Sequence, residues 1–306
     1  MGHNGIAGAA DRTIRLLMRP PLAAVCLALL VLACTDSQAP QPDPRLQNVI
    51  LFLSDRDGGR QMHLIAPTGG AVEPLFPDTN LPGSSIIDYR ISVSPDGRWI
   101  AFGMLGDIWL SRADGTQPRN LTQDPANDTD PSWSPDGGRI AFTSNRNGDY
   151  DIFVVNADGT APLQVTDDAG SDAAPTWAPD GARLAFTSDR GGDVDIYVVS
   201  LADQSLVKLT QDPGSDECPS WSSDGQTIVF CSTRDGGNFL YLMDADGGNV
   251  RPLVTDANAG FPVWGPGDSL VAFDRGNDIW TVKPDGSNPV NLTNDGPVDG
   301  HPTWAR

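Results

Sequence analysis

Short apolar runs alternate with Gly- and Asp-rich turns along most of this chain, and one pattern recurs. Its copies contain Pro-x-Trp, a turn such as Ser-Pro-Asp-Gly, and an apolar stretch ending in Phe, as in PSWSPDGGRIAF from Pro131. The six residues at the Trp position are separated by 40, 44, 44, 43 and 40 residues, a period typical of propeller blades. These residues are Val93, Trp133, Trp177, Trp221, Trp264 and Trp304.

Each repeat predicts four strands, as the copy from Pro131 illustrates. The inner strand is predicted from Pro131 to Ser134, and the Pro-Asp-Gly sequence then turns the chain. A second strand is predicted at 139–144, a third at 151–156, and an outer strand that ends at 165–166. Each blade is therefore predicted to be a four-stranded antiparallel meander.

The last Pro-Thr-Trp, at Pro302, stops before a second strand can form. The stretch from Asn48 supplies strands two and three of a blade, with Phe52 in the Phe position. We therefore expect an all-β fold, a six-bladed β-propeller of four-stranded antiparallel blades. Pairing of the N- and C-terminal strands would close the ring and hide the sheet edges.

Two further elements recur in phase with the Trp-to-Phe core. Ser-x-Arg follows the Phe in four repeats, as at 144–146, and Asp-Ile-aromatic opens the third strand, as at 151–153. The whole pattern resembles the PD40, or TolB-like, propeller repeat. This resemblance implies a non-enzymatic scaffold of the cell envelope that binds a protein or peptide. Because the arginines and aspartates repeat, we expect them to form pairs that hold loops rather than a catalytic centre.

The N-terminal segment has arginines ahead of an apolar run, from Pro21 to Ala33, that is short for a membrane span. The pattern predicts a signal peptide over residues 1–33. Residues 31–34 resemble the bacterial lipobox, which implies lipidation of Cys34; an ordinary cleaved secretory signal is the alternative.

Residues 34–48 are polar and Pro-rich, which predicts a tether before a propeller at 49–306. Lipid and tether would place the folded domain at the periplasmic face of the bacterial outer membrane, or in the periplasm. Contact with the membrane is expected through the lipid anchor only, and the protein is expected to be a monomer.

From Cys34 onward the chain carries 17 basic and 39 acidic residues, a formal net charge of −22. Such a surface argues against nucleic acid as a partner, since phosphate contacts need basic residues. The carboxylates concentrate in loops leading into the inner strands, which predicts an acidic channel mouth suited to a basic protein or peptide. The candidate partner-binding residues are Asp128, Asp130, Asp172, Asp216, Glu217, Asp299 and His301.

One segment carries oxygen ligands at alternate positions, as calcium loops do, but without the closing Glu of an EF-hand. Calcium is therefore the one cofactor considered, and no other is expected. The candidate ligands are Asn145, Asn147, Asp149 and Asp151.

Cys218 and Cys231 flank one predicted hairpin turn. In an oxidising compartment they could form a cross-strand disulfide or remain two thiols, and the sequence leaves both open. A zinc site is not favoured, because the chain has no CxxC spacing.

Two other functions compete with the binding scaffold. A metal-dependent polysaccharide lyase of the oligogalacturonate type would need His and Arg clustered at the channel, where only His301 is well placed. A carbohydrate-binding or sensor module would use exposed aromatics such as Tyr150. No G-x-S-x-G, P-loop or H-E-x-x-H motif occurs, so we expect no enzymatic activity and no catalytic residues.

Overall fold

The computed structural model describes residues 42–76 and 87–305 of the chain. Within these two ranges, twenty-four strands form six separate sheets, and each sheet has four antiparallel strands. Two 3-10 helices, Pro44–Leu46 and Pro266–Asp268, are the only helices within those two ranges. The predicted all-β, six-bladed propeller is confirmed.

Blade 1 joins the two ends of the chain. Its strands are β1 (Val49–Ser54), β2 (Gln61–Ile65), β3 (Glu73–Pro74) and, from the other end of the sequence, β24 (Asp299–Ala305). The inner strand β24 runs antiparallel to β1, with Trp304 opposite Ile50 and Asp299 opposite Ser54. The predicted closure of the ring by the terminal strands is therefore confirmed.

Blades 2 to 6 follow along the chain, each from its inner strand outward. Blade 2 contains β4 (Ile87–Val93), β5 (Trp99–Met104), β6 (Asp107–Arg112) and β7 (Arg119–Asn120). Blade 3 contains β8 (Asp128–Trp133), β9 (Arg139–Ser144), β10 (Asp151–Asn156) and β11 (Leu163–Gln164). Blade 4 contains β12 (Asp172–Trp177), β13 (Arg183–Ser188), β14 (Asp195–Ser200) and β15 (Leu206–Lys208). Blade 5 contains β16 (Asp216–Trp221), β17 (Thr227–Ser232), β18 (Phe239–Asp244) and β19 (Arg251–Val254). Blade 6 contains β20 (Ala259–Trp264), β21 (Val271–Arg275), β22 (Asp278–Val282) and β23 (Val290–Asn291).

The turn after the inner strand of blade 3 is held by its own side chains. The Ser134 hydroxyl donates to Asp136 at 2.6 Å and accepts from the backbone N–H of Arg139 at 2.9 Å. The amide of Gly138 donates to the same carboxylate at 2.9 Å. Gly137 has a φ of 69°, a conformation that glycine adopts without steric cost. The hydrogen bonds that stabilise this turn therefore all come from residues 134–139.

The large apolar side chains of the repeat pack between neighbouring blades. The Phe of each second strand is fully buried, and the Phe142 ring lies 5.9 Å from that of Phe153. The same core cluster contains Trp133 of blade 3 and Ile108 of blade 2. Burying one such side chain stabilises the fold by about 1.5–3 kcal/mol, so the repeated Trp and Phe are scaffolding.

The pairing register shifts in all six inner strands near the position three residues before the Trp position. In five of them the residue there has a positive φ, between 48° and 55°: Asp130, Ala174, Cys218, Phe261 and His301. The predicted start of the blade 3 inner strand at Pro131 is therefore wrong. The bulge allows the two residues before Asp130 to pair with β9, so the strand begins at Asp128.

The end of the predicted tether contacts the propeller. Leu46 is 1% exposed and belongs to the core cluster between blades 1 and 2, and Arg45 Nη1 donates to the carbonyl of Leu75 at 3.2 Å. The predicted signal peptide, Cys34 and the tether as far as residue 41 lie outside the described residues.

Candidate functional site

The two faces of the ring differ. The turns after the inner and third strands lie on one face, which we call the turn face. The loops leading into the inner strands and the Ser-x-Arg segments lie on the other, the loop face. Most of the candidate residues from the sequence lie on the loop face or in the channel beneath it.

Four blades carry the same contact on the loop face, which we call the clamp. In each, an arginine donates Nε to the hydroxyl of the serine two residues earlier at 2.8 Å. Its Nη2 donates to a buried aspartate that begins the inner strand, at 2.6–3.1 Å. The pairs are Arg56 with Asp299, Arg146 with Asp128, Arg190 with Asp172, and Arg234 with Asp216.

The other guanidinium edge of each clamp arginine approaches an aspartate of the preceding loop. The Nη1–carboxylate distances are 2.9 Å to Asp295, 2.6 Å to Asp168, 2.9 Å to Asp212 and 3.9 Å to Asp124. Each arginine therefore joins the inner strand to the loop before it, as expected for a pair that holds a loop.

The aspartates of the Asp-Ile-aromatic elements are not part of the clamp. Asp151 accepts hydrogen bonds from Gln164 Nε2 at 3.0 Å and from the Thr166 hydroxyl at 3.4 Å. It thus fastens the outer strand to the third strand. Burial raises the pKa of Asp151 to about 6.

The clamp places four of the predicted partner-binding carboxylates inside the blades. Asp128, Asp172, Asp216 and Asp299 are at most 1% exposed, and burial raises the pKa of Asp172 although Arg190 contacts it. Glu217 is exposed. The four clamp aspartates are thus arranged to hold arginines rather than to meet a partner.

The central channel contains a cavity of about 260 Å³. Arg90, Phe261 and His301 line it and lie three residues before the Trp position of their blades, and we call the six residues at this position the channel ring. They are Arg90, Asp130, Ala174, Cys218, Phe261 and His301. This position holds a different residue in every blade.

Three members of the channel ring contact one another across blades 6, 1 and 2. The Phe261 and His301 ring centroids are 3.9 Å apart, and the Arg90 guanidinium lies 5.8 Å from the Phe261 ring. Arg90 Nε also lies 3.7 Å from an oxygen of Asp130. Side chains from four blades thus form one continuous group at the end of the channel.

Asp274, on β21, supports this group from below. One of its oxygens accepts the backbone N–H of His301 at 3.2 Å. A Cβ on Gly260 would lie 2.8 Å from Asp274 Oδ1, and one on Gly300 would lie 3.1 Å from Oδ2. The two glycines therefore create the space that the carboxylate occupies.

Burial shifts the pKa values of Asp274 and His301 in opposite directions. Burial raises the pKa of Asp274 to about 6. Burial, together with the positive charges of Arg60 and Arg90, lowers the pKa of His301 to about 3. At neutral pH the His301 ring is therefore neutral, while Asp274 is ionised and changes charge in mildly acidic solution.

Cys218 and Cys231 are both buried, free thiols that lie side by side. A hydrogen bond from Cys231, helped by the positive charge of Arg90, lowers the pKa of Cys218. The same hydrogen bond and burial raise the pKa of Cys231. The thiol pair thus connects β17 to the channel ring.

Three of the four candidate calcium ligands, Asn145, Asn147 and Asp151, make separate hydrogen bonds within the protein. Asn145 accepts the backbone N–H of Asn127 at 2.8 Å, and Asn147 donates to Gln164 at 2.8 Å. In the part of the chain that the structure describes, no group of three or more His, Cys, Asp or Glu side chains is placed to hold a metal ion. Calcium binding stays a prediction.

A search of the same residues for membrane-spanning helices found none of sufficient length and apolarity.

Sequence reasoning missed Arg90, Phe261 and Asp274. The signal that could have found the first two is alignment of the repeats by phase, because one position of the inner strand varies in every copy. Asp274 directly follows Phe273, the Phe of its repeat, whereas two other repeats have Thr after the Phe. An acidic residue at this place in the second strand was the available signal.

Comparison with known proteins agrees with the architecture. Residues 163–306 match the family described as TolB beta propeller domain, and residues 93–194 match the Tricorn protease N-terminal beta propeller domain. The solved structure of TolB from Acinetobacter baumannii has a TM-score of 0.73 and 23% identity, and covers 86% of this chain and 68% of that chain. This likeness concerns the fold.

Curated relatives share part of the sequence. A Tol-Pal system protein TolB of Anaeromyxobacter dehalogenans is 37% identical over 32% of this chain and 21% of its own length. A TolB homolog of Chlorobium luteolum is 31% identical over 34% of this chain and 33% of its own length. The match thus spans about a fifth to a third of these relatives. With the six closed blades, these matches support a TolB-like β-propeller fold for the folded part of this chain.

Proposed function

We propose that this protein is a non-enzymatic propeller of the bacterial cell envelope that binds a protein or peptide at the loop-face end of its channel. The partial match to relatives named as Tol-Pal system proteins supports an envelope role. The observation that carries the proposal is the channel ring, where six different residues stand at one position of an otherwise repeated blade. A rigid scaffold that presents variable side chains is suited to recognition.

The partner is proposed to be basic where it meets the loops around the ring. Four carboxylates there remain accessible, because their side chains are exposed: Glu217, Asp212 at 55%, Asp256 at 75% and Asp295 at 46%. The chain as a whole is also strongly acidic, which attracts cationic surfaces over several ångströms. The buried clamp aspartates have no part in this contact.

Charge reversal tests the proposal by crosslinking and affinity capture from the envelope of the source bacterium. Glu217→Lys places a positive charge beside the channel ring and is expected to reduce recovery of the basic partner at least tenfold. Asp203→Lys makes the same charge change at an exposed site on the turn face and is the matched control. Equal recovery by both variants would contradict the proposal.

Lipid anchoring of the exported protein is proposed to depend on Cys34. The wild-type protein is expected to incorporate labelled fatty acid and to fractionate with the outer membrane. Cys34→Ser is expected to lose both properties while its propeller keeps its unfolding temperature. A wild-type protein without lipid would favour an ordinary secretory signal instead.

The two buried thiols are proposed to form a disulfide when the chain folds in the oxidising periplasm. Two thiols would then lose two protons and two electrons to a protein disulfide of that compartment. Their placement side by side supports this pairing. Mass measurement of alkylated, non-reduced peptides decides the question, and two alkylated residues in exported protein would reject it.

A further inference from the structure

The channel cavity, of about 260 Å³, continues from the channel ring toward the turn face. Arg90, Phe261 and His301 line its loop-face end, and prolines that follow the inner strands, such as Pro95 and Pro135, line its turn-face end. Cavities for drug-sized ligands have volumes of about 300–1,000 Å³. The channel cavity is therefore suited to a ligand of about one ring, bound deeper than the proposed protein partner.

Five hydroxyl groups line the middle of the cavity, and we call their residues the hydroxyl collar. They stand directly before the Trp position of five blades, and each residue is half-buried. Ser92 Oγ accepts the backbone N–H of Trp133 at 3.1 Å, and Ser220 Oγ accepts that of Trp264 at 3.4 Å. Because these oxygens act as acceptors, the hydroxyl protons remain to be donated to a ligand. The collar residues are Ser92, Ser132, Thr176, Ser220 and Thr303.

The charges around the cavity favour an uncharged ligand. Arg90 is the one cation among the described residues that line it, and no described carboxylate lines it. Asp130 lies 3.7 Å from Arg90 Nε and offsets its charge. The strongly acidic chain opposes entry of an anion, whereas Arg90 opposes a cation. Since an unpaired charge is costly away from water, the cavity is suited to a neutral, polar molecule.

The loop-face end of the cavity adds aromatic surface beside a hydrogen-bond donor. The Phe261 and His301 ring centroids are 3.9 Å apart, and the Arg90 guanidinium lies 5.8 Å from the Phe261 ring. A neutral ligand with an apolar face and polar edges would use both kinds of group. A sugar ring has this character, because its C–H groups form a face and its hydroxyls lie at the edge.

We propose that the channel cavity binds a neutral sugar, with the sugar ring between the channel ring and the hydroxyl collar. Its hydroxyls would accept from Arg90 and exchange hydrogen bonds with the collar, since hydroxyls of the sugar and of the protein both donate and accept. Its C–H face would lie against Phe261. This site is separate from the loops that carry the proposed protein contact and does not depend on that proposal.

NMR titration of the exported protein with D-glucose, D-galactose and D-mannose tests the proposal. At least one of these sugars is expected to bind with a Kd of about 1 mM, as is typical of a ligand of this size. The matched uronate and amino sugar place a negative or a positive charge on the same ring. Both are expected to bind at least tenfold more weakly than the neutral sugar.

Variants of the hydroxyl collar locate the site. Thr176→Val replaces a hydroxyl by a methyl group of the same shape and is expected to weaken binding about threefold. The double variant Ser132→Ala, Thr176→Val is expected to weaken it at least tenfold. Thr255→Val makes the same change at an exposed position outside the cavity and is expected to change nothing. Thermal unfolding shows which variants are folded, and Thr176→Val alone decides if the double variant is not.

The proposal is overturned if none of the three sugars binds, which would leave water as the content of the channel. Equal binding of the charged analogues, or binding unaffected by the folded collar variants, would also overturn it. An uncharged acetyl-Gly-Ser-Gly-Ser amide that binds at least tenfold more tightly than every sugar would assign the cavity to a peptide instead. Glu217→Lys, which tests the protein partner, is expected to keep the affinity for sugar, so the two proposals fail independently.

Discussion

Blades 1, 3, 4 and 5 share the clamp on the loop face, whereas blades 6 and 2 depart from it. In blade 6, Ala259 begins the inner strand in place of aspartate, and Arg275 contacts the exposed Asp256 at 2.7 Å. In blade 2, Gly106 stands where the clamp arginine would be. Blades 6 and 2 flank blade 1 and contribute Phe261 and Arg90 to the channel ring.

The comparison separates two uses of charge in one fold. The clamp repeats because, in each of the four blades that carry it, it fastens a loop to the start of the inner strand. The channel ring varies because its side chains meet only once, at the centre of the molecule. Repetition thus marks the scaffold, and departure from repetition marks the candidate site.

The largest expected effect comes from breaking one clamp. Arg190→Ala leaves the buried Asp172 without its cation, and we expect a loss of about 3–5 kcal/mol in the free energy of unfolding. The double variant Arg190→Ala, Asp172→Asn is expected to recover most of this loss. Urea denaturation measures both. Arg251→Ala, whose ion pair with Asp244 is exposed, is the control and is expected to cost below about 1 kcal/mol.

The second prediction concerns the pH dependence of the free energy of unfolding that arises from Asp274 and His301. The pKa of Asp274 is about 6 in the folded protein and lower when unfolded, so the folded state binds more protons below pH 6. This group therefore adds stability as the pH falls from 7 to 4, by about 2 kcal/mol. Asp274→Asn is expected to remove that gain, which urea denaturation at the two pH values measures.

His301 is expected to act in the opposite direction. Its pKa of about 3 in the folded protein means that only the unfolded state takes up a proton between pH 6.5 and 3. Stability from this group is present above pH 6.5 and is lost as the pH falls. His301→Gln should therefore be less sensitive to acid than the wild type. A pH profile identical to that of the wild type in both variants would contradict the assignment.

A third prediction tests the space around Asp274. Gly260→Ala would bring a Cβ to 2.8 Å from Asp274 Oδ1, and we expect a loss of about 1–3 kcal/mol. Blade 4 has Ala173 at the equivalent position, so the strand itself accepts alanine. The double variant Gly260→Ala, Asp274→Ser should then unfold at a higher urea concentration than Gly260→Ala alone.

The smallest expected effect concerns the bulge. Ala174 has a φ of 55°, and a left-handed alanine is strained by about 1–2 kcal/mol. Ala174→Gly removes this strain but adds backbone entropy to the unfolded chain, so we expect a gain of about 0.5 kcal/mol. Ala173→Gly, one residue earlier, should lose stability instead. Thermal unfolding of the two variants measures the difference.

The fold was predictable because its main determinants are local. The Ser-Pro-Asp-Gly turn is held by Ser134 and Asp136, two residues apart, and the apolar run after it has the length of one strand. Repetition at a constant period then implies a ring. The phase of Phe52 relative to Trp304 was enough to predict which strands close it.

The candidate site was less predictable. The acidic loops were visible, but nothing local distinguishes Asp216, which is buried by Arg234 eighteen residues later, from its exposed neighbour Glu217. Burial depends on which strand lies beside which. Likewise, the Ser-x-Arg arginines were expected in pairs, yet their partners became known only from the start of the inner strand.

The sequence by itself determined the blades, their number and the closure of the ring, because turns, strand lengths and a repeat period are written in consecutive residues. The tertiary structure decided which charges are buried in clamps and which side chains meet at the channel. Arg90, Phe261 and His301 are far apart in the chain and come together only when the ring closes. Contacts of that kind depend on the summed geometry of six blades, which no single repeat contains.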